Sequence, residues 1–339
     1  MEYISIFFIF LLIYLINNLF LKKNLISNYS GQLHQTFTGK EKVPLSGGIF
    51  ILILCSFIFF SLGYLYVFFI FFIFLIGLFS DLNIISSVKI RFLTQVIIVS
   101  IFVYLLDITV ESTRVDFIDL ILSNKSLSLI FSIFCLLIVI NGSNFIDGLN
   151  GLVLGYYSLI FGLLLKLNFF SQINVDSLDL NYFGLVIIYL YFLNLFNRLF
   201  IGDSGAYLLG LFFALLLIKI YELDNNFSPF FVILLLWMPC FENLFSIIRK
   251  FINKTSPTLP DNSHFHQLFF LFIRKNFNIK NHFANNLSST IILIYNSIIF
   301  YYASTDIYNT KFQILLISLN IIVYLYTYKI LFNYKTKNL

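Results

Sequence analysis

Apolar runs separated by short polar breaks fill almost the whole chain. A helix needs roughly 20 apolar residues to cross the hydrocarbon core of a bilayer. The runs predict eleven transmembrane helices, at residues 3–20, 46–62, 64–79, 90–106, 127–141, 151–170, 181–197, 204–221, 229–248, 288–303 and 312–332. The second and third runs meet at Ser61-Leu-Gly63, which indicates a tight helical hairpin. The pattern therefore predicts an all-α, polytopic integral membrane protein.

Composition agrees with this prediction and narrows the function classes. The 339 residues are 60% hydrophobic and 20% aromatic, with a mean hydropathy of +0.93, which excludes a soluble domain of this length. A single membrane domain spanning 1–339 is expected, with a cytoplasmic loop at about 249–287. The net charge of +5 is spread over many loops, so it does not indicate a nucleic-acid partner. Cys55, Cys135 and Cys240 lie in apolar runs and are expected to pack as small hydrophobic residues.

The distribution of charged residues predicts the orientation. The first run is followed by Lys22 and Lys23 and lacks a basic leader and a cleavage site, so it is expected to be an anchor. With the N-terminus outside, 16 of the 21 Lys and Arg residues fall inside and ten of the 16 acids outside. Cytoplasmic loops are enriched in Lys and Arg. The C-terminus is therefore expected on the cytoplasmic side.

Five polar clusters share that cytoplasmic side. Charged and amide side chains near lipid are costly and are rarely present without a role. Asp81, Asp147, Asp203 and Asp261 belong to these clusters. We therefore expect one cytoplasmic-face site built from Pro44–Gly48, Ser80-Asp81 with Lys89 and Arg91, Asn141–Gly151, Phe200–Gly205 and Ser256–His266.

Two clusters carry oxygen-donating side chains beside glycines. Asn141, Asn144, Asp147 and Asn150 recur every three residues, which keeps them roughly on one helix face. More such groups are present than a helix cap needs, so we expect ligand binding there. Asp203 lies among glycines at a predicted helix start, where it serves either as a cap or as an oxygen ligand for Mg²⁺.

The other clusters carry groups suited to phosphates. Asp81 beside Lys89 and Arg91 suits a phosphorylated lipid headgroup, although each basic residue alone is also typical of interface anchoring. His264 and His266 share a face in an extended segment, and two histidines alone make a weak zinc site. They are candidates for hydrogen bonds to a pyrophosphate. His34 and His282 are assigned no role, and Gly48 would let a helix or a ligand approach closely.

Together these motifs resemble the polyprenyl-phosphate N-acetylhexosamine-1-phosphate transferase family, which belongs to glycosyltransferase family 4. The resemblance extends from about Pro44 to Gln267. It rests on Pro-x-x-Gly-Gly at 44–48, on Asn-x-x-Asn-x-x-Asp-Gly-Leu-x-Gly-Leu at 141–152, on Phe-Ile-Gly-Asp-Ser-Gly at 200–205 and on the Arg-to-His-x-His pattern at 249–266.

The resemblance implies an enzyme of the bacterial inner (plasma) membrane that transfers a sugar-1-phosphate from a UDP-N-acetylhexosamine to undecaprenyl phosphate. It implies Mg²⁺, with Mn²⁺ as the alternative, and leaves a homodimer open. By this resemblance Asp203 would bind the metal ion and Phe200 would stack on uracil. Asn141, Asn144 and Asp147 would line the nucleotide and diphosphate site, His264 and His266 would contact the diphosphate or sugar, and Asp81 would lie by the acceptor phosphate.

The sequence departs from the family pattern at three positions. Ser80 stands where the family usually has the first of two adjacent acids, and a serine cannot act as a carboxylate base. Either Asp81 covers that role or the phosphate dianion attacks unaided. Ile84 replaces a residue that is often charged, and Asn150 replaces an acid but retains an amide that could pair with uracil. The alternatives are a phospho-MurNAc-pentapeptide transferase, a catalytically degenerate scaffold or a transporter. Lys166, Lys219 and Glu242, the nearest candidates for transport charges, are expected toward helix ends.

Overall fold

The structure is a computed structural model that describes residues 2–23, 25–26, 43–110, 112–173, 175–224, 226–254 and 263–338. Within these ranges the chain forms one 3₁₀-helix, Phe169–Ile173, and fourteen α-helices, without a β-sheet. The α-helices are α1 Glu2–Lys23, α2 Gly47–Phe60, α3 Tyr64–Asp81, α4 Val88–Leu105, α5 Asp116–Leu122, α6 Lys125–Phe145, α7 Leu152–Lys166, α8 Ser177–Leu195, α9 Gly202–Leu223, α10 Pro229–Leu235, α11 Trp237–Ile252, α12 Phe265–Phe277, α13 Asn281–Ala303 and α14 Thr310–Asn338.

Each predicted transmembrane segment coincides with a helix or with one bent pair of helices. Among the described residues, eight helices are long and apolar enough to cross a membrane, namely α1, α3, α4, α6, α8, α9, α13 and α14. The pair α10–α11 also qualifies when taken together, although its halves are bent by 74°. Helices α2 and α7 are shorter, with 14 and 15 residues. The all-helical membrane fold is confirmed, whereas eleven spans and their orientation remain predictions.

Two parts of the predicted cytoplasmic loop are helical. Helix α12 lies inside the range 249–287, and α13 begins at Asn281 rather than at residue 288. Helix α13 begins with Asn281 and His282, and α12 carries Arg274 and Lys275 in its last turn. An apolar-run criterion misses such amphipathic segments because their apolar residues are spaced along one face.

Helix α9 is the centre of the bundle, and every residue from Ser204 to Leu217 is buried. Small residues allow its neighbours to approach closely. A Cβ atom on Gly48 of α2 would lie 2.3 Å from Ser204 Oγ, and one on Gly77 of α3 would lie 2.3 Å from Ser204 Cα. The N-terminus of α9 is therefore held tightly between α2 and α3.

The bend between α10 and α11 is stabilised by a tyrosine from α7. The hydroxyl of Tyr156 donates to the carbonyl of Leu235 at 2.8 Å and accepts from the Met238 amide at 3.4 Å. A broken helix inside a membrane is tolerated where such partners satisfy the freed backbone groups. On α6, a Cβ atom at Gly142 would lie 2.1 Å from the carbonyl oxygen of Pro239, so α6 and α11 also pack with their backbones in contact.

Arg114 joins three loops near the N-terminal end of α6. Its guanidinium donates to the carbonyls of Asn226, Phe227 and Tyr308 and to the Thr310 hydroxyl. Asp119 accepts from residues around the same turn. This end of the bundle is therefore fastened by charged groups that bind backbone atoms.

Candidate active site

The site is built around the first turn of α9. Gly202 has φ +67°, and a Cβ atom there would lie 2.6 Å from Asp81 Oδ2, so both the backbone conformation and the available space require glycine. Asp81 Oδ1 accepts from the Asp203 amide at 2.8 Å. Its Oδ2 accepts from the Ser204 amide at 3.1 Å and hydroxyl at 2.7 Å. Asp81 thus satisfies amides that a helix N-terminus otherwise leaves unpaired.

Asp203 joins side chains from three other helices. Its Oδ2 lies 2.5 Å from Arg91 Nη1 on α4 and accepts from the Ser80 hydroxyl on α3 at 2.5 Å. Its Oδ1 accepts from Asn144 Nδ2 on α6 at 2.6 Å. Arg91 also donates to Ser80 Oγ. Ser80 therefore occupies the space between the guanidinium and the carboxylate.

Asn141 lies one turn before Asn144 and is fixed from α4. Its Nδ2 donates to Gln95 Oε1 at 2.9 Å and to the Leu137 carbonyl at 2.9 Å. Gln95 is fully buried and follows Arg91 by one helical turn. The sequence analysis missed Gln95, although the four-residue spacing from Arg91 is a signal that could have found it.

Asp147 differs from the other acids of the site. Its half-buried carboxylate makes no hydrogen bond to any residue within the described ranges. Burial raises the pKa of Asp147 well above its ordinary value, and the negative charges of Asp203 and Asp81 raise it further. The three carboxylates thus lie near one another, and Arg91 is paired with Asp203.

The two histidines contact the Asn141–Gly151 segment. The His264 ring centre lies 5.2 Å from that of Phe145 and 5.9 Å from that of His266. A Cβ atom on Gly148 would lie 2.0 Å from His266 Nε2, so only glycine admits the ring at this position. His264 and His266 therefore lie beside the turn that carries Asp147.

Glu242 was missed as a site residue and was expected toward a helix end. The structure corrects this expectation, because Glu242 is fully buried within α11 and lies 2.9 Å from His264 Nδ1. Its surroundings could not be read from the sequence, since they come from α12 and α14.

Asn150 lies in the same segment but binds the scaffold. Its side chain is 4% exposed and donates to Asn197 Oδ1 at 2.7 Å, and its amide donates to Asn285 Oδ1 at 2.7 Å. The Gly151 amide donates to Asn194 Oδ1. These asparagines of α8, α13 and the α8–α9 connection hold the end of the segment in place, and the sequence analysis missed them.

The remaining predicted residues occupy the rim of the site. Phe200 pairs through its backbone with Pro44 at 2.9 Å and Gly47 at 3.0 Å. Its half-buried ring has no aromatic partner within the described part of the chain. Gly48 is buried and faces Ser204, so a helix is the neighbour that approaches it. Lys89 is exposed at the start of α4.

The described parts of the five clusters therefore meet at one end of the bundle. Part of the fifth cluster, which includes Pro257, Pro260 and Asp261, lies outside the described residues, as does His34. His282 lies 3.2 Å from the Leu195 carbonyl through Nε2 and joins α13 to α8.

Residues 64–221 match the family model described as glycosyl transferase family 4. This part of the chain is similar to family 4 glycosyl transferases. It carries Asp81, Arg91, Asn144, Asp147 and Asp203, and thus the centre of the site. The clusters around Gly48 and His264 lie outside the match.

Two curated relatives agree with the family match. The chain is 29% identical over 136 residues to a probable undecaprenyl-phosphate N-acetylglucosaminyl 1-phosphate transferase of Bacillus subtilis (strain 168), over 40% of this chain and 38% of the relative. It is 28% identical over 134 residues to an undecaprenyl-phosphate alpha-N-acetylglucosaminyl 1-phosphate transferase of Thermotoga maritima (strain ATCC 43589 / DSM 3109 / JCM 10099 / NBRC 100826 / MSB8), over 39% of each. The chain thus spans about two fifths of the length of these relatives.

Residues 64–221 gather oxygen donors, but the described residues do not form a complete metal cage. Within the described ranges, no three His, Cys, Asp or Glu side chains lie together in a geometry that could hold a metal ion. The three cysteines are free and at least half-buried, as expected for packed hydrophobic residues. Any cation in this site would therefore depend on few protein ligands and on oxygens from other molecules.

Proposed function

We propose that this chain transfers a sugar-1-phosphate, with N-acetylhexosamine-1-phosphate as the expected group, from a UDP-sugar to undecaprenyl phosphate. The reaction would release UMP on the cytoplasmic face of the plasma membrane and begin the assembly of a surface polysaccharide. The family match and the names of the two relatives support the acceptor and the type of transfer. The observation that supports the proposal most strongly is that Asp203 contacts both Arg91 and Asn144. Asp147 lies beside them, and its carboxylate has no hydrogen-bond partner among the described residues.

The proposed reaction balances as a single phosphoryl transfer. A phosphate oxygen of the lipid forms a bond to the phosphorus atom that carries the sugar. The bond from that phosphorus to the bridging oxygen breaks, and the electron pair leaves with UMP. The products are a lipid-linked diphosphate sugar and UMP, so no oxidant or reductant is needed.

The site suits Mg²⁺ because of its donor chemistry. Mg²⁺ is usually bound by one or two carboxylates together with substrate phosphates, rather than by an all-protein cage. Asp203 and Asp147 would hold it, since Asp147 has no hydrogen-bond donor among the described residues and lies close enough to Asp203 for that charge to raise its pKa. When bound, the ion would neutralise charge on the phosphate oxygens.

The other residues would bind and orient the substrates. Arg91 and Lys89, at the start of α4, would attract the lipid phosphate at headgroup level. Phe200 would stack on the base, and Asn141 with Asn144 would face the nucleotide and diphosphate. His264 and His266 would donate hydrogen bonds to diphosphate or sugar oxygens.

A carboxylate base is not required for this transfer. The oxygens of Asp81 already accept three hydrogen bonds from the start of α9, and Ser80 binds Asp203. A phosphate monoester has a second pKa of about 6, so the lipid phosphate is largely a dianion near neutral pH. We therefore propose that the dianion attacks unaided and that Asp81 shapes the site.

The charges that a transporter would use are already paired. Lys219 lies 2.8 Å from Glu222, Lys166 lies 5.0 Å from the ring centre of Tyr301, and Glu242 binds His264. Lys166 ends α7 and Lys219 lies about one turn before the end of α9, so neither is a charge at the centre of a span. The transferase therefore remains the favoured function.

The test is UMP release by purified protein in detergent with undecaprenyl phosphate, Mg²⁺ and a panel of UDP-N-acetylhexosamines. The panel should include UDP-MurNAc-pentapeptide, since that donor separates the peptidoglycan transferase from the polysaccharide initiators. We expect one donor to give UMP, EDTA to stop the reaction and Asp203→Asn to lower turnover by about 100-fold or more. Silence of the folded protein with every donor would contradict the proposal and favour a degenerate scaffold.

A further inference from the structure

Glu242 is a buried acid that no substrate-facing role explains. Its side chain is 1% exposed and lies inside the bundle, on α11. Burying a carboxylate is costly unless it is paired and hydrogen-bonded. Its contacts come from residues distant in sequence, on α14 and at the start of α12.

The first partner of Glu242 is His264. Glu242 Oε1 lies 2.9 Å from His264 Nδ1 and 3.3 Å from the Phe265 amide nitrogen. A carboxylate at Nδ1 favours the tautomer with a proton on that nitrogen, because the carboxylate can only accept. The other ring nitrogen, Nε2, makes no hydrogen bond to any residue within the described ranges. His264 thus keeps Nε2 available beside Phe145 and the turn that carries Asp147.

The second partner is Tyr324 of α14, whose hydroxyl donates to Glu242 Oε2 at 2.5 Å. Its ring lies 4.8 Å from that of Phe265 and 4.9 Å from that of Phe241, which restricts its rotation. One turn further along α14, Tyr328 accepts from Arg249 Nη1 at 2.7 Å. Lys335 donates to the Ser263 hydroxyl at 3.1 Å. Helix α14 therefore fixes both the acid and the residue that precedes His264.

We propose that Glu242 and Tyr324 are positioning residues that hold His264 with Nδ1 protonated and Nε2 facing the diphosphate site. The identity of the ligand rests on the proposed function, whereas the arrangement of the three side chains does not. Partners that orient metal-ligating histidines commonly change affinity or activity about 10- to 100-fold when they are removed, and we expect an effect of the same size here. Helix α14 lies outside residues 64–221, which match the family model. The contact of Tyr324 with Glu242 therefore extends the site to a helix that the family match does not include.

The first test observes the ring directly, without substrate. The chain has four histidines, so ¹⁵N-histidine labelling in detergent at pH 8 gives few signals, and His264→Asn assigns the relevant one. In the wild type we expect the ¹⁵N shifts of a ring protonated at Nδ1. In Glu242→Gln the fraction with Nδ1 protonated should fall, because one amide oxygen must serve three donors that two carboxylate oxygens served.

The second test measures turnover. Glu242→Gln should lower kcat by about 10- to 100-fold. Tyr324→Phe removes one hydroxyl and should lower kcat about fivefold. Tyr295→Phe is the matched control, because its hydroxyl binds Asn320 at 2.6 Å and not Glu242. It should retain wild-type kcat.

The outcomes separate the two proposals. A wild-type ¹⁵N spectrum together with wild-type kcat in both Glu242→Gln and Tyr324→Phe would overturn the positioning role. The expected ¹⁵N change in a protein that releases no UMP with any donor would support the positioning role and contradict the proposed function. If Glu242→Gln does not fold, Tyr324→Phe decides, because loss of one hydroxyl is a small perturbation.

Discussion

Two acids at opposite ends of α6 show how differently the chain uses a carboxylate. Asp119, before α6, accepts from the Thr113 amide at 2.6 Å and hydroxyl at 2.7 Å, from the Ser112 hydroxyl at 3.0 Å and from the Arg114 amide at 3.1 Å. Asp147, after α6, accepts no hydrogen bond from any described residue.

The pKa values of the two acids move in opposite directions. Burial raises the pKa of Asp119, but its hydrogen bonds outweigh burial and hold the pKa below the ordinary value of 3.8. Burial, Asp203 and Asp81 all raise the pKa of Asp147. The four donors around Asp119 suit a structural role, whereas Asp147, which has no donor among the described residues, is suited to a ligand.

Among the variants that test the difference between Asp119 and Asp147, Asp147→Asn should have the largest effect, a loss of activity. Removing a charge that acts on the reacting phosphates should lower kcat by about 100- to 1000-fold. Stability in EDTA should be unchanged or higher at pH 7, because the raised pKa means that ionisation of Asp147 opposes folding as the pH rises above 3.8. UMP release and thermal unfolding measure the two effects. Wild-type turnover with a lowered midpoint would assign Asp147 to the scaffold.

The second prediction concerns the fit of His266 against the turn that carries Asp147. In Gly148→Ala the added methyl carbon would lie 2.0 Å from His266 Nε2, so the ring must move. Misplacement of a contacting group by about 1 Å can cost about 100-fold in rate. The control is Gly162→Ala in α7, because a Cβ atom there meets nothing within 4 Å. The control should keep its activity and gain some stability from helix propensity. Equal activity of the two variants would remove His266 from the site.

The sequence was sufficient to locate the long helices. It was insufficient to predict where a helix bends or that part of the predicted loop is helical. Apolar runs located each long helix because hydrophobic length is a local property. The bend at Leu235, by contrast, depends on the Tyr156 hydroxyl of another helix. The amphipathic helix α12 was missed because polar residues, among them His266, Arg274 and Lys275, interrupt its apolar residues.

The candidate site was predictable where polar residues cluster along the chain. Arg91, Asn144 and Asp203 stood out because charges and amides interrupt apolar runs, and the structure brings them together. Glu242 lies singly inside an apolar run, so its importance appears only through partners from other helices, whereas the spacing of Gln95 from Arg91 was a signal in the sequence. The scaffold contacts of Asp81 and Asn150 depend likewise on tertiary structure.

The smallest effect is expected at the other end of α6, in Asp119→Asn. Loss of the charge that four donors contact should lower the free energy of unfolding at pH 7 by about 1 kcal/mol, since the site is open to solvent. UMP release should remain at the wild-type level, because Asp119 lies before α6 and the site follows its C-terminal end.

The pH dependence of this loss gives the sharper test. Because the folded-state pKa of Asp119 is lowered, its stabilisation is present above 3.8 and disappears as the pH falls through the lowered value. Unfolding curves of the wild type and Asp119→Asn should therefore differ at pH 7 and converge under acid. If the free energies of unfolding of the two proteins differ by the same amount at every pH, the variant acts through altered packing. The difference between Asp119 and Asp147 would then not come from hydrogen bonds to the charged carboxylate.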